Sequence, residues 1–534
     1  MVPLLPSCSP TQEPTHAREK HKLKRDWSVN MGESATVGSG QYPGKFGFDV
    51  NSSSCANDYV VFNTGLAGSA SQASIIAYNN LYSGCGETVP SSYFAYNTGG
   101  KITTSVTLSA DGTQLAFVQA PTGGGAAELV LLTWATPGGA AGAPGPITTV
   151  SSPSSYRGCT APCMTTITFK RTTGTDPTPT VLISAPFYDF SGSDTLYVGD
   201  DAGYLHQFTN VFISGTPVES TSTWSVEVGK TNLSSPVYDP TTGNVFVTAA
   251  YVESFNSGGQ LAAVCATSTC AGVSNGVATT AIGTVTLSGV LGPATSGTVC
   301  HGNGSLGSGN DLRLDSPIVD PVAGRVYAFL GTDGNGNSAV VQFPTTVSAT
   351  EFSARSCGTE STVGTGSTTG FNTPLFSGTF DNLYFTSSGS SPSGNLYVCG
   401  NTSGNPALYQ VPITNNGIPT GGTLVLANLS TGATTCSPVT EVFNSPADWI
   451  FLSVEHLGTT ASPVGCPMSA GCVMSFSVPT SSPGAPPTST FATATESGGT
   501  SGIVIDNIVT QGSEIYFSTL TGSNAVQASQ SGLE

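Results

Sequence analysis

The densest gathering of reactive side chains lies between Cys300 and Asp315, in the glycine-rich stretch CHGNGSLGSGNDLRLD. His301, Asp311, Arg313 and Asp315 all fall inside it. An imidazole, a guanidinium and carboxylates at this spacing could do acid–base work on a sugar acid or an ester. The alternative is a long connecting loop in which Arg313 pairs with Asp311 or Asp315. Two more His read as structural: His206 sits mid-strand in YLHQF, as a packed or surface side chain rather than a ligand, and His456 follows WIFLSVE at a strand end. No GxSxG elbow, HExxH helix or phosphate-binding loop is present, so common hydrolase and nucleotide chemistries have no local signature here.

Metal-ligating patterns come next. Asp333-Gly-Asn335-Gly-Asn337-Ser338 alternates Asp and Asn as a Ca2+ loop does. It departs at two key positions, with Ser338 where glycine is required and Pro344 where a bidentate Glu belongs. A Gly/Asn hairpin turn fits the same residues. An acid also ends a recurring motif at Asp49, Asp189, Asp239, Asp320, Asp381, Glu441 and Asp506. Such a set could ring a central channel and hold a hard cation such as Ca2+. Alternatively each acid caps its own turn, as the Asp-Pro-x-x-Gly contexts at Asp239 and Asp320 suggest. No other cofactor is expected.

Thirteen Cys are present, and setting Cys8 aside leaves an even number. Zinc ribbons want two-residue gaps in matched pairs, which are missing. Disulfides are the better reading, and they imply an oxidising compartment. Proximity suggests Cys55–Cys85, Cys159–Cys163, Cys265–Cys270, Cys300–Cys357, Cys399–Cys436 and Cys466–Cys472.

These residues need a scaffold, and the composition limits which. Of 534 residues, only 14 are basic and 32 acidic, a charged share of 9% against an ordinary ~25%. The net charge of −18 excludes a nucleic-acid partner, which needs a basic footprint. Five of the basic residues crowd between Arg18 and Arg25, so residues 1–25 are expected to form a flexible basic leader ahead of one domain over 26–534. No apolar run is long enough for a membrane span. With 66 Gly and 35 Pro, the chain reads as turn-rich and all-β.

A repeat organises it. KFGFD, APFYD, SPVYD, SPIVD, SGTFD, SPVTE and GIVID recur, with SVTLS as an eighth copy, at about 65 residues per unit. Each copy precedes further short strand runs, such as YVVF, SIIAY and YFAY after the first. Four short strands per unit, repeated radially, predict one β-propeller of eight four-stranded blades, with seven as the alternative. The last unit lacks a fourth strand, and the leader offers one near 26–31 that would close the ring and hide a sheet edge.

The stretch SSYFAYNTGGKITTSVTLSADGTQLAFV (91–118) resembles the PQQ-like and YVTN-type propeller superfamily, as does YVGDDAGYLHQF (197–208). The whole chain is similar to secreted bacterial β-propeller proteins with YNTGG-like and CSPVTE-like segments. The resemblance implies the fold and an extracellular setting, and it does not extend to a tryptophan-docking repeat, since only four Trp occur. Leu5-Pro6-Ser7-Cys8 resembles the end of a lipoprotein signal, which implies a possible surface anchor at Cys8. The expectation is a secreted or surface-attached protein that binds an extracellular glycan or protein, or self-associates, without catalysis. The alternative is a glycan lyase or hydrolase with its site near 300–315.

Overall fold

The computed structural model describes residues 23–34, 36–49, 51–82, 84–86, 89–171, 184–221, 224–228, 232–249, 260–266, 282–286, 315–331, 337–346, 358–365, 375–402, 405–426, 429–430, 434–444, 447–456, 466–467, 470–478, 480, 492–508, 512–522 and 524–530. Within them the chain is a succession of antiparallel meanders. The first sheet holds Gly44–Phe46, Tyr59–Asn63, Ile75–Asn79 and Ser91–Tyr96. In the second, Gly100–Ile102 and Thr107–Leu108 both pair with Gln114–Pro121, followed by Glu128–Thr133 and Cys163–Thr168. The third begins with Phe187–Tyr188, Thr195–Gly199 and Tyr204–Thr209. Its fourth position is shared by Val218–Glu219 and Val226–Glu227, both paired with Tyr204–Thr209. The fourth sheet holds Val237–Asp239, Asn244–Ala249, Gln260–Cys265 and Ile282–Thr286.

The fifth sheet (Ile318–Asp320, Arg325–Leu330, Asn337–Pro344, Thr359–Thr365) meets the sixth (Thr379–Phe380, Gly394–Thr402, Asn405–Ile413, Thr423–Leu426) through the pairing of Gly364 with Asn401 and of Thr362 with Gly421. The seventh holds Thr440–Asn444, Ala447–Val454, Gly471–Val478 and Ala492–Glu496. The last combines Val504–Ile508, Gly512–Ser518 and Asn524–Gln530 with Leu23–Asn30 from the other end of the chain. That strand pairs antiparallel with Asn524–Gln530, from Leu23 against Gln530 to Asn30 against Asn524. It starts three residues before the expected 26, so Lys24 and Arg25 of the basic run belong to the sheet.

The middle strands read as nearly unbroken apolar runs because both of their faces are covered. Period-two alternation then divides each run between two neighbours. Tyr59, Val61, Ile75 and Ala77 pack against Leu115, Phe117 and Val130 of the second sheet. Val60, Phe62, Ile76 and Tyr78 pack against Trp27 and Tyr516 of the last. Comparable clusters join the second sheet to the third, the third to the fourth, and so on to the last. Four-stranded meanders stacked face to face in this radial way form a β-propeller.

Four expected disulfides are in place, Cys55–Cys85, Cys159–Cys163, Cys399–Cys436 and Cys466–Cys472. Cys8, Cys270, Cys300 and Cys357 lie outside the described residues. Among the described residues no helix is long and apolar enough to cross a membrane.

Candidate functional site

Each first strand is entered through a short segment that carries the repeated small residue, and these segments bond to one another. Tyr42 N donates to Ser105 Oγ at 2.9 Å, and Thr107 Oγ1 donates to Pro186 O at 2.6 Å. Ala185 N donates to Ser235 Oγ at 2.8 Å, and Ser316 Oγ donates to Ser235 O at 2.7 Å. Ser377 N donates to Asp315 Oδ2 at 2.7 Å, and Val439 N donates to Ser377 O at 3.3 Å. Thr440 Oγ1 donates to Ile503 O at 3.0 Å, and Gly502 N returns to Gln41 O at 2.8 Å. The hydrogen bonds therefore run from the first sheet through every later one and back.

A second device repeats within the sheets. Five residues before the acid slot, a hydroxyl accepts the backbone N–H that leaves the second strand. The pairs are Thr104 with Val118, Ser184 with Gly199, Ser234 with Thr248 and Ser501 with Ser518, at 2.7–3.1 Å. Four other units have no hydroxyl at this position, which is Gly44, Asp315, Phe376 or Cys436; of these Asp315 is the acid, and its carboxylate reaches forward to Ser377. Tyr42 lies against the same place: its hydroxyl shares a hydrogen bond with Ser377, and Asp315 is close enough to raise its pKa alongside burial. Burial raises the Asp315 carboxyl above the usual range, against the bonds from Ser377 and Ser316 that stabilise the charged form. Tyr42 also lies flat on Gly502, where an added Cβ would come within 2.5 Å of its ring. Tyr42, Asp315 and Ser377 thus form a half-buried polar group where the first, fifth, sixth and last sheets converge. Such a set can hydrogen-bond a small polar ligand.

Of the candidates near 300–315, the described residues include Asp315; His301, Asp311 and Arg313 lie outside them. Asp333 and Asn335 also lie outside, while Asn337 opens the strand Asn337–Pro344. Most repeated acids cap turns. Asp189 accepts Ser191 N and Ser193 Oγ, and Asp239 accepts Thr241 N and Thr242 Oγ1. Asp320 accepts Val322 N and Ala323 N, Asp49 accepts Asn51 N, and Asp381 accepts Tyr384 N at the start of the short helix Asn382–Thr386. Among the described residues, no three His, Cys, Asp or Glu gather in a way suited to a metal ion.

Asp506 and Glu441 behave differently. Asp506 pairs with Lys45 Nζ at 2.8 Å and accepts the Tyr82 hydroxyl at 3.0 Å, which ties the last sheet to the first. Tyr82 donates as well to Asp58 at 2.8 Å. Neighbouring Glu514 is pushed up to about 8 by burial and by the charges of Asp506 and Asp26, against the Tyr516 hydroxyl bond and Lys45. Glu441 stands four residues, rather than five, after its hydroxyl Ser437. A one-residue slip turns a strand side chain to the opposite face. It therefore faces the sixth sheet and meets Asp448, whereas Asp506 faces the first.

Sequence reasoning took His206 as a packed or surface residue. It is fully buried and ionically held, with Nδ1 2.6 Å from Glu219 Oε1 and Nε2 3.2 Å from Asp200 Oδ2. Arg171 Nε donates to the same Asp200 oxygen at 2.8 Å. Burial opposes the charged imidazole, but the bonds and charges of Asp200 and Glu219 prevail and raise its pKa. The two carboxylates lie 6 and 13 residues from His206, and the pairing of neighbouring strands in the third sheet brings them to it.

No family model and no curated protein matches the chain. Among solved structures it is similar to BamB from Moraxella catarrhalis, at 11% identity and a TM-score of 0.40, over 95% of this chain and 97% of that one. It is similar to Sqt1 from Chaetomium thermophilum at 13% identity and a TM-score of 0.49, over 94% and 99%. It is also similar to the Dos1 propeller, at 9% identity and a TM-score of 0.37, over 80% and 93%.

Proposed function

We propose that the chain is an eight-bladed β-propeller, closed by its N-terminal strand, that serves as a secreted or surface-attached binding platform without catalysis of its own. The hydrogen-bond circuit from Tyr42 round to Gln41 supports the closed ring, as does the pairing of Leu23–Asn30 with Asn524–Gln530. The disulfides support an oxidising setting. One observation carries the binding reading: large apolar side chains from several sheets stand exposed at the same end of the molecule. In an antiparallel meander, the turn after the first strand and the connection after the third emerge at the same end. Phe48, Phe190, Val322 and Phe385 belong to first turns, and Ile213 follows a third strand. Buried titratable groups, in contrast, are engaged with one another.

A second reading is favoured by Asp315, whose place beside Tyr42 and Ser377 fits a small-ligand or hydrolytic site on a polar glycan. The two readings separate in one experiment. Wild type, F190S/F385S and D315N are screened against extracellular protein and glycan arrays and assayed for glycan turnover. Binding lost only in F190S/F385S supports the platform. Turnover that disappears in D315N overturns it in favour of the enzyme.

A further inference from the structure

The exposed apolar end has an electrostatic character that narrows its partner. Phe190, Ile213, Val322 and Phe385 are 63–70% exposed, and Phe48 is 48% exposed. Three of the aromatics rest edge-on against a neighbouring ring: Phe48 on the half-buried Phe46, Phe190 on the buried Tyr188, and Phe385 on the buried Tyr384. They are held in place rather than free to fold away, which lowers the entropy cost of using them as anchors.

The same end carries negative charge, because most first strands end in an acid there, although Asp189, Asp239, Asp381 and Asp506 are buried. Asp49 and Asp111 are exposed, and Asp320 is half-buried. The two described arginines at this end bond to amide oxygens rather than to carboxylates. Arg157 donates to Gln114 Oε1 and to the carbonyls of Asn210 and Gly215, and Arg325 donates to the carbonyl of Asn416. The chain as a whole is at −18. That charge repels a second copy and an anionic lipid surface, and it steers cations. A face that joins rigid aromatic anchors to a negative field is complementary to a chain carrying both positive charge and apolar side chains.

We propose that this end docks a cationic polypeptide segment that inserts apolar side chains among Phe48, Phe190, Val322 and Phe385. The proposal rests on the platform reading above and names its partner.

The test uses the full chain and a fluorescent peptide alternating Lys and Leu, with a Glu/Leu peptide as its counterpart, read by anisotropy. The Lys/Leu peptide should bind, and binding should weaken about tenfold or more in F190S/F385S, a change of at least ~1.4 kcal/mol. It should weaken again as salt rises to about 0.5 M. Both substituted positions are exposed, and an unchanged melting temperature verifies the fold. Equal binding of the Glu/Leu peptide, or Lys/Leu binding untouched by F190S/F385S, overturns the proposal. If both peptides fail while F190S/F385S abolishes binding on a glycan array or dissociates a dimer on size exclusion, the cationic partner is wrong and the platform stands. If F190S/F385S alters none of these, both readings fall.

Discussion

Glu441 and Asp448 sit diagonally across one hairpin, with Glu441 opposite Ile450 and Asp448 opposite Phe443. Their carboxyls share a hydrogen bond, yet no other donor among the described residues reaches Glu441 Oε1 or Asp448 Oδ1. Two carboxylate oxygens can bond only through a proton that one of them holds. Burial, and then the Asp448 charge, push Glu441 up to about 9. A folded pKa above the unfolded value favours the fold at low pH. That advantage is complete below about 4.3 and fades as pH climbs toward 9. Glu441→Gln keeps a donor and cannot ionise. Its melting temperature should exceed that of wild type progressively from pH 6 to pH 9. Parallel curves for the two proteins would refute the shared proton.

His206 lies buried between two carboxylates, Asp200 and Glu219, whose bonds and charges raise its pKa against the effect of burial. Removing one member of such a group leaves uncompensated charge and costs about 3–5 kcal/mol. His206→Ala should therefore unfold at markedly lower denaturant concentration. The pH sign is opposite on the two sides. The raised His206 pKa gives stability that is full below about 6.5 and is lost as pH rises through the folded value. Asp200 is lowered by its His206 bond and charge, against its burial, so its contribution is lost as pH falls. Urea titrations at a series of pH values read both limbs in wild type, and the alanine variant lacks the His206 limb.

Trp27 is 6% exposed, with its ring 5.8 Å from Tyr78 and 6.2 Å from Tyr516. It plugs the joint between the first and last sheets. Trp27→Ala should cost about 3–5 kcal/mol. Deleting residues 1–22 should leave the melting temperature near that of wild type. Deleting residues 1–30 should lower it sharply and cause aggregation, because the edge of Asn524–Gln530 is then bare. Equal stability of the two truncations would contradict ring closure.

Asp315 replaces a hydroxyl with a carboxyl whose pKa is raised by burial. The native state therefore disfavours its charge, and wild type loses stability as pH rises above about 3.9. Asp315→Asn preserves an acceptor for Ser377 N and should be at least as stable as wild type at pH 7 by calorimetry. A carboxylate that can be removed without loss of stability is one kept for another role. A destabilised Asp315→Asn would assign it to the ring alone.

Much of the fold was legible in the sequence because its signals are local. The runs YVVF, ELVLLTW and WIFL are continuous apolar segments that only a sheet covered on both faces explains, and all three are strands. The close cysteine pairs 159–163 and 466–472 could hardly reach other partners, and both are bonded. The turn caps at Asp189 and Asp239 follow from short side chains two to four residues from the N–H and hydroxyl groups that they accept. Glu441 misled the motif because SPVTE looks in register with SPVYD, and one residue decides which face an acid takes.

By itself the sequence determined the repeat, its strands, its turn acids and the spare strand beside the leader, since each is written within a few residues. Only the tertiary structure decided what those repeats do together. The burial of His206 between Asp200 and Glu219 depends on strand pairing within the third sheet, while the circuit from Tyr42 to Gln41 and the joint of Lys45 with Asp506 depend on contacts between separate sheets. The last spans 461 residues of chain. No local pattern encodes such pairings. They are fixed when the apolar faces stack, and the polar groups left inside must then find partners or share a proton.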